Sequence, residues 1–330
     1  MIRTSHYLFA ALCLGSLFAC SRQFTDSYIV PKWCFAVFML FIVLAYEAVN
    51  ILFYRQNEQK DTRISVYGFI IVISCFLQAM FGVVQFFGFF QISTTLWVTG
   101  SFDNPAGFAA CLCAGFPFVG FLLSDSNKYI RYVGGLIGFV IVIAVILSQS
   151  RAGIMSIAFI CFILLNMKFF HKRWVKYLSL LCFALLLSGC YWMKKDSADG
   201  RLLIWRCSVS MVKDAPWLGH GIGSFEARYM DYQADYFRQY GLNRYSMLAD
   251  NVKHPFNEYL GVLLNFGFVG LLMILALITL LIYCYKKHPC AEKRIAFCSL
   301  ISIGVFSFFS YTFTYPFTWI ITFLSVLIII

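Results

Sequence analysis

The chain has 330 residues, 61% of them hydrophobic and only 12% charged, with 26 Lys and Arg against 15 Asp and Glu. A mean hydropathy of +0.78 excludes a water-soluble globular domain and marks an integral membrane protein. The net charge of +11 comes mainly from cations flanking apolar runs, whose natural partners are anionic lipid head groups, so it gives no ground for nucleic-acid binding.

Apolar runs long enough to cross about 30 Å of hydrocarbon recur along the chain. Helices are the expected spanning form, because each unpaired backbone group in lipid costs several kcal/mol. Alternating ten-residue strands are absent, which excludes an outer-membrane barrel. The opening MIRTSHYLFAALCLGSLFAC has the charged start and small residues of a secretion signal, but with further spans following it reads as an uncleaved first helix. Predicted spans follow near 7–21, 33–54, 65–90, 105–124, 130–148, 152–170, 174–193, 258–284, 294–312 and 316–330. The expected fold is all-α, a polytopic bundle of about ten transmembrane helices. Residues 1–193 hold helices 1–7, residues 194–257 form a large extramembrane loop with two helices, and residues 258–330 hold helices 8–10. The last run ends at SVLIII without a closing cation, which points to a chain that continues.

Charge sets the expected orientation. Arg3, Arg55 to Arg63, Lys128 with Arg131, Lys168 to Lys176, and Lys286 to Arg294 all fall on one side, whereas the short loops opposite hold Arg22, Lys32 and Arg151. The positive-inside rule then puts the amino terminus in the cytoplasm and the 194–257 loop outside. Most of the thirteen cysteines lie within predicted spans as small apolar fillers, and neither a C-x-x-C pair nor a His/Cys metal spacing occurs, so no metal or cofactor is expected. Internal repeats of the transporter kind are also absent.

Candidate site residues gather on the outer face. In SFDNPAGFAA, Asp103 or Asn104 caps a helix that Pro105 begins, and Asp103 is also placed to touch a sugar hydroxyl or pair with an arginine. Arg151, in LSQSRAGIMS, stands at a tight turn between two spans; it is either an interfacial snorkelling side chain or a fixed cation for phosphate. Arg201 and Trp205 lie four apart on the first loop helix, either a surface pair or a second cation with its support. Gly219, Gly221 and Gly223 form an ordinary turn or a backbone cradle for phosphate, with His220 as a structural residue inside it. The next stretch, EARYMDYQADYFRQY, reads as a tyrosine-rich helix lying flat at the lipid head groups. In NVKHPFNEYL, Pro255 suits the first turn of a helix, which puts His254 at its cap with Asn257 and Glu258 one turn on. That cluster is either a polar cap or an oriented imidazole able to accept a proton near pH 7.

Four stretches, GSFDNPAGFAA, LSQSRAG, GRLLIWRCSVSMVKDAPWLGHGIGSFEARY and HPFNEYLGVLLNFGFVGLL, together resemble the bacterial O-antigen ligase and polymerase family over about residues 95–285. The resemblance implies a GT-C-like, metal-independent, inverting membrane glycosyltransferase. Its donor is a glycan on undecaprenyl diphosphate, and its acceptor is a hydroxyl on lipid A core, on a growing glycan or on a protein. The ligase reading, with lipid A core, is preferred. Arg151 and Arg201 correspond to the family arginines that engage the diphosphate, and His254 to its loop histidine. The family pattern has histidine directly before asparagine; here Phe256 holds that place, and His254 lies two residues earlier. Two rivals of other classes are a lipid-linked glycan flippase and a non-catalytic assembly partner.

Overall fold

A computed structural model describes residues 2–54, 60–89, 98–169 and 195–330, with scattered positions between 174 and 192. The predicted span at 174–193 falls largely outside the described residues, and Lys172, Arg173 and Lys176 fall wholly outside them. Every other predicted span lies on helix: α1 (Ile2–Phe18), α2 (Ile29–Tyr54), α3 (Lys60–Phe86), α4 (Pro105–Gly115) continued through a 3-10 turn by α5 (Val119–Leu123), α6 (Lys128–Leu147), α7 (Arg151–Phe169), α10 (Glu258–Lys287), α11 (Ala291–Phe309) and α12 (Pro316–Ile329). The loop contributes α8 (Lys195–Asp214) and α9 (Ser224–Tyr240). Among the described residues five stretches are long and apolar enough to cross a membrane: Ile29–Asn50, Ile64–Phe86, Pro105–Leu123, Lys128–Leu147 and Glu258–Lys287. Thr4–Phe18, Arg151–Leu164 and Pro316–Ile329 are shorter apolar helices. The protein is thus a helical membrane protein, all-helical among the described residues.

The chain divides into two compact units: residues 1–160, 287–306 and 312–330, and residues 161–286 with 307–311. In the first, α1 packs on α2 and α3, α3 packs on α6, and α12 packs on α4. The α4 to α5 segment is the most enclosed candidate span, and its carbonyls need partners because Pro117 has no N–H to return to Cys113. Serines from α11 supply them: Ser302 Oγ donates to the Cys113 carbonyl and Ser299 Oγ to that of Ala114, each at 2.7 Å. Ser156 on α7 in turn donates to the Ser302 carbonyl at 2.8 Å. Small hydroxyls thus hold three apolar helices together where the hydrophobic effect gives no preference between protein and lipid.

Lys32 is the least expected residue of this unit. Instead of lying in a short outer loop, it is fully buried in the first turn of α2 and donates to the carbonyls of Ala19 at 2.9 Å and Ser101 at 2.8 Å. Its ammonium also stands 4.9 Å from the centre of the Phe102 ring. A buried cation solvated by carbonyls and an aromatic face is tolerable without a carboxylate, and it fixes the segment leading to Asp103.

In the second unit, Leu203, Cys207 and Met211 form one stripe of α8, at spacing four, and pack against Phe225 and Tyr229 of α9. Tyr232, Tyr236 and Phe237 join the same core. Tyr229, Tyr232 and Tyr236 therefore face α8 rather than only a lipid surface, whereas Tyr240 is exposed. Helix α8 begins six residues earlier than the Asp199-Gly200 pair suggests, and it stops at Asp214, ahead of Pro216, as expected.

Candidate active site

The second unit brings Arg201, Trp205 and His254 together. Arg201 and Trp205 share a face of α8, and both reach the segment before α10. Trp205 Nε1 donates to the Pro255 carbonyl at 2.9 Å, and the Arg201 guanidinium lies 5.1 Å from the centre of the Phe256 ring. Arg201 Nη1 also donates at 2.6 Å to the carbonyl of Phe309, the last residue of α11. A helix C-terminus carries partial negative charge and unpaired carbonyls, so the cation is well placed there. Two residues on, Tyr311 receives both aromatic rings of the segment: His254 stacks on it with centroids 4.6 Å apart and planes 25° apart, and Phe256 meets it edge-on at 5.3 Å. Sequence reading missed Tyr311, which lies more than fifty residues beyond the histidine and has no local motif.

His254 is not the cap of α10. Asn257 is: its Oδ1 accepts from Leu260 N at 3.0 Å, the helix begins at Glu258, and Pro255 stays outside. The reason is Phe256, whose φ of 52° turns the chain sharply just before the helix. Asn257 is buried and Glu258 half-buried; they form the start of α10, Asn257 as its cap and Glu258 as its first residue.

The glycine turn is committed to structure. Helix α10 breaks at Gly267, with φ 62° and ψ −158°, and the segment 216–221 pairs with the break. His220 N donates to the Leu264 carbonyl at 2.7 Å and Gly221 N to that of Asn265 at 3.1 Å; in return Phe268 N donates to Pro216 O at 2.8 Å and Val269 N to Trp217 O at 3.2 Å. Gly219 N donates to Ala215 O at 3.1 Å. With the N–H groups of Gly219 and Gly221 so used, the phosphate cradle gives way to the ordinary turn. The His220 ring is structural too. Arg228 Nη1, which can only donate, lies 2.9 Å from Nδ1, so Nε2 carries the proton and donates to Met211 O at 2.7 Å.

The other two candidates belong to the first unit. Arg151 is the first residue of α7 and is buried; Gln149, with φ 53°, makes the tight turn before it, and Ser150 Oγ caps the helix by accepting from Gly153 N. Asn104, not Asp103, caps α4, accepting from Gly107 N at 2.9 Å and from Tyr315 Oη at 3.3 Å. Asp103 is open on one side; crowding on the other raises its carboxyl above the ordinary range, a shift opposed by the hydrogen bond from Asn104 Nδ2 at 3.0 Å. Among the described residues no three His, Cys, Asp or Glu side chains gather as a metal site.

No curated protein matches the chain. The model of the family described as O-Antigen ligase matches residues 136–275, a stretch that contains Arg151, Arg201, Trp205, His254, Asn257 and Glu258 and leaves out Asp103. The match over this stretch supports the O-antigen ligase/polymerase family of membrane proteins and, in general terms, a function of the ligase and polymerase type.

Proposed function

We propose that the protein is an O-antigen ligase-type glycosyltransferase, moving a glycan from undecaprenyl diphosphate to a hydroxyl of lipid A core at the periplasmic face of the inner membrane. The observation that carries this reading is the cluster around Tyr311, where a guanidinium over Phe256 and an imidazole stacked on Tyr311 come from separate segments and are linked by the contact between those two rings. In the proposed reaction the acceptor hydroxyl attacks the anomeric carbon with inversion, and the glycosidic bond forms as the bond to the diphosphate breaks. His254 takes the hydroxyl proton. Arg201 and Arg151 hold the diphosphate, on which negative charge grows as it leaves. Fixed cations at a water-poor site stabilise that charge more in the transition state than before it. Trp205 holds the Pro255 carbonyl and with it the segment bearing His254. Asp103, with its raised carboxyl, contacts a sugar hydroxyl, and Asn257 and Glu258 fix the start of α10.

Reconstituted protein given lipid-linked glycan and lipid A core tests this directly. A new glycosidic bond to lipid A core is expected. Loss of His254 removes a base worth roughly 10²–10⁴-fold, so His254→Ala and Arg201→Ala each reduce transfer to background while membrane insertion stays normal. Translocation of the glycan lipid without bond formation would make the protein a flippase. In cells, a deletion strain is expected to lack glycan on lipid A core; a single repeat left on lipid A would reassign the protein as a polymerase, and loss from glycoproteins as a protein oligosaccharyltransferase.

A further inference from the structure

The turn between α8 and α9 carries large apolar side chains that stand exposed: Trp217 is 70% exposed, Leu218 75% and Ile222 84%. Its backbone is bonded to Leu264, Asn265, Phe268 and Val269 of α10. Those residues lie six to eleven positions beyond Glu258, roughly 9–16 Å along the helix axis. Helix α10 is apolar over the length of a membrane span and little of it is buried. Its flank beside the turn, Phe266, Phe268 and Val269, is exposed as well, and the Trp217 ring meets Phe268 edge-on at 6.1 Å.

We infer that the 216–222 turn is a membrane hook, sunk beside α10 into the acyl chains of the leaflet on the Glu258 side, with lipid as the partner of Trp217, Leu218 and Ile222. Irregular backbone is admitted at that depth only when its polar groups are paired inside the protein. The break at Gly267 and the turn meet that condition for each other: the carbonyls of Leu264 and Asn265 and the N–H groups of Phe268 and Val269, all released by the break, are the partners of the turn. Neither half suits lipid alone. Lys213 and Asp214 precede the hook and Glu226 follows it in the chain, while His220 is turned inward onto Met211 and holds the Arg228 guanidinium on its other ring nitrogen. Acyl chain rather than a second protein is the occupant because the hook's apolar surface continues through Trp217 and Phe268 into the flank of a span. The inference does not depend on the catalytic reading. Its effect on the unit is to tie the end of α8, the helix that carries Arg201 and Trp205, to the membrane.

The test uses the full chain in proteoliposomes, comparing the unsubstituted protein with Trp217→Phe. The emission lost on substitution is expected to be blue-shifted, to lose most of its intensity in vesicles whose lipids are brominated on the upper acyl chain, and to resist aqueous acrylamide. Emission quenched by acrylamide and not by bromolipid would overturn the hook in favour of a water-exposed turn. Emission shielded from both would overturn it in favour of cover by protein. Should Trp217→Phe fail to insert, Ile222→Cys carrying a polarity-sensitive dye, with the unsubstituted protein as labelling background, gives the same three readings.

Discussion

Arg201 is bound on two sides, by the Phe309 carbonyl at a helix end and by the face of Phe256, which distinguishes its charge from its shape. Lysine at this position keeps a cation near the carbonyl but not the planar fork that presents two parallel donors to phosphate oxygens. Arg201→Lys is therefore expected to insert and fold normally while binding the lipid diphosphate far more weakly; transfer at the unsubstituted rate would take the diphosphate role away from Arg201. Tyr311 invites a companion experiment. Because it meets His254 through its ring, Tyr311→Phe is expected to keep most activity, whereas Tyr311→Ala frees the imidazole and reduces kcat by roughly 10²-fold, the scale of a misplacement of about 1 Å. Equal losses from both variants would mean that the hydroxyl, not stacking, is what matters. At this scale the sequence was informative about residue types and poor about partners. Arg201 and Trp205 are placed on one helix face by their spacing alone. His254 is separated from Tyr311 by all of α10 and α11, and the left-handed turn at Phe256, which moves the cap to Asn257, is a conformation that phenylalanine does not advertise.

The same contrast holds for elements. Apolar length locates the long apolar helices among the described residues, since the cost of unpaired backbone in lipid leaves helix as the available answer. Pro216 and the glycines after it mark a turn correctly, yet nothing local in them or in the NFGFVG run of α10 announces that the two pair backbone to backbone. A Cβ on Gly219 would lie 2.6 Å from the backbone of Asn265 and Phe266, and one on Gly267 would lie 2.3 Å from that of Trp217. Both residues also have positive φ. Gly219→Ala and Gly267→Ala are thus expected to destabilise the second unit by at least the roughly 1–3 kcal/mol of an overpacked core, read as a lowered Tm in detergent. Gly221→Ala, with open space around its Cβ position but φ 90°, is expected to cost less; equal costs for all three would show that the close approach is unimportant. The α8 and α9 pair adds a pH dependence. Burial pushes the Tyr229 hydroxyl up to about 12, against a hydrogen bond from Gln233 that works the other way, and the bond to Asp214 raises Tyr232. A phenol whose folded value is raised favours the folded state fully below its ordinary value near 10 and loses that contribution as pH climbs toward the folded value. Stability of this helix pair, followed by circular dichroism, is expected to fall between about pH 10 and 12. In Tyr229→Phe the fall is expected to be shallower, and an unchanged slope would remove Tyr229 as its cause.

For the molecule as a whole, the sequence resemblance runs through about residues 95–285 and the family match through residues 136–275, so the family was legible from the order of short motifs although no single one is decisive. What motif order does not convey is whether the two proposed diphosphate ligands, Arg151 and Arg201, act together. If both guanidiniums hold one diphosphate, their contributions to transfer are coupled, because removing either leaves the leaving group misplaced for the other. A double-mutant cycle on kcat/KM makes this measurable. Arg151→Ala and Arg201→Ala are each expected to be severe, and the double variant is expected to be much less impaired than the product of the two single losses, as for residues that act as a unit. Arg151→Lys and Arg201→Lys keep the rates measurable if the alanine variants fall below detection. Losses that simply multiply would assign the two cations to independent tasks, with Arg201 retained at the site beside His254 and Arg151, buried at the start of α7, left as a structural residue of the first unit.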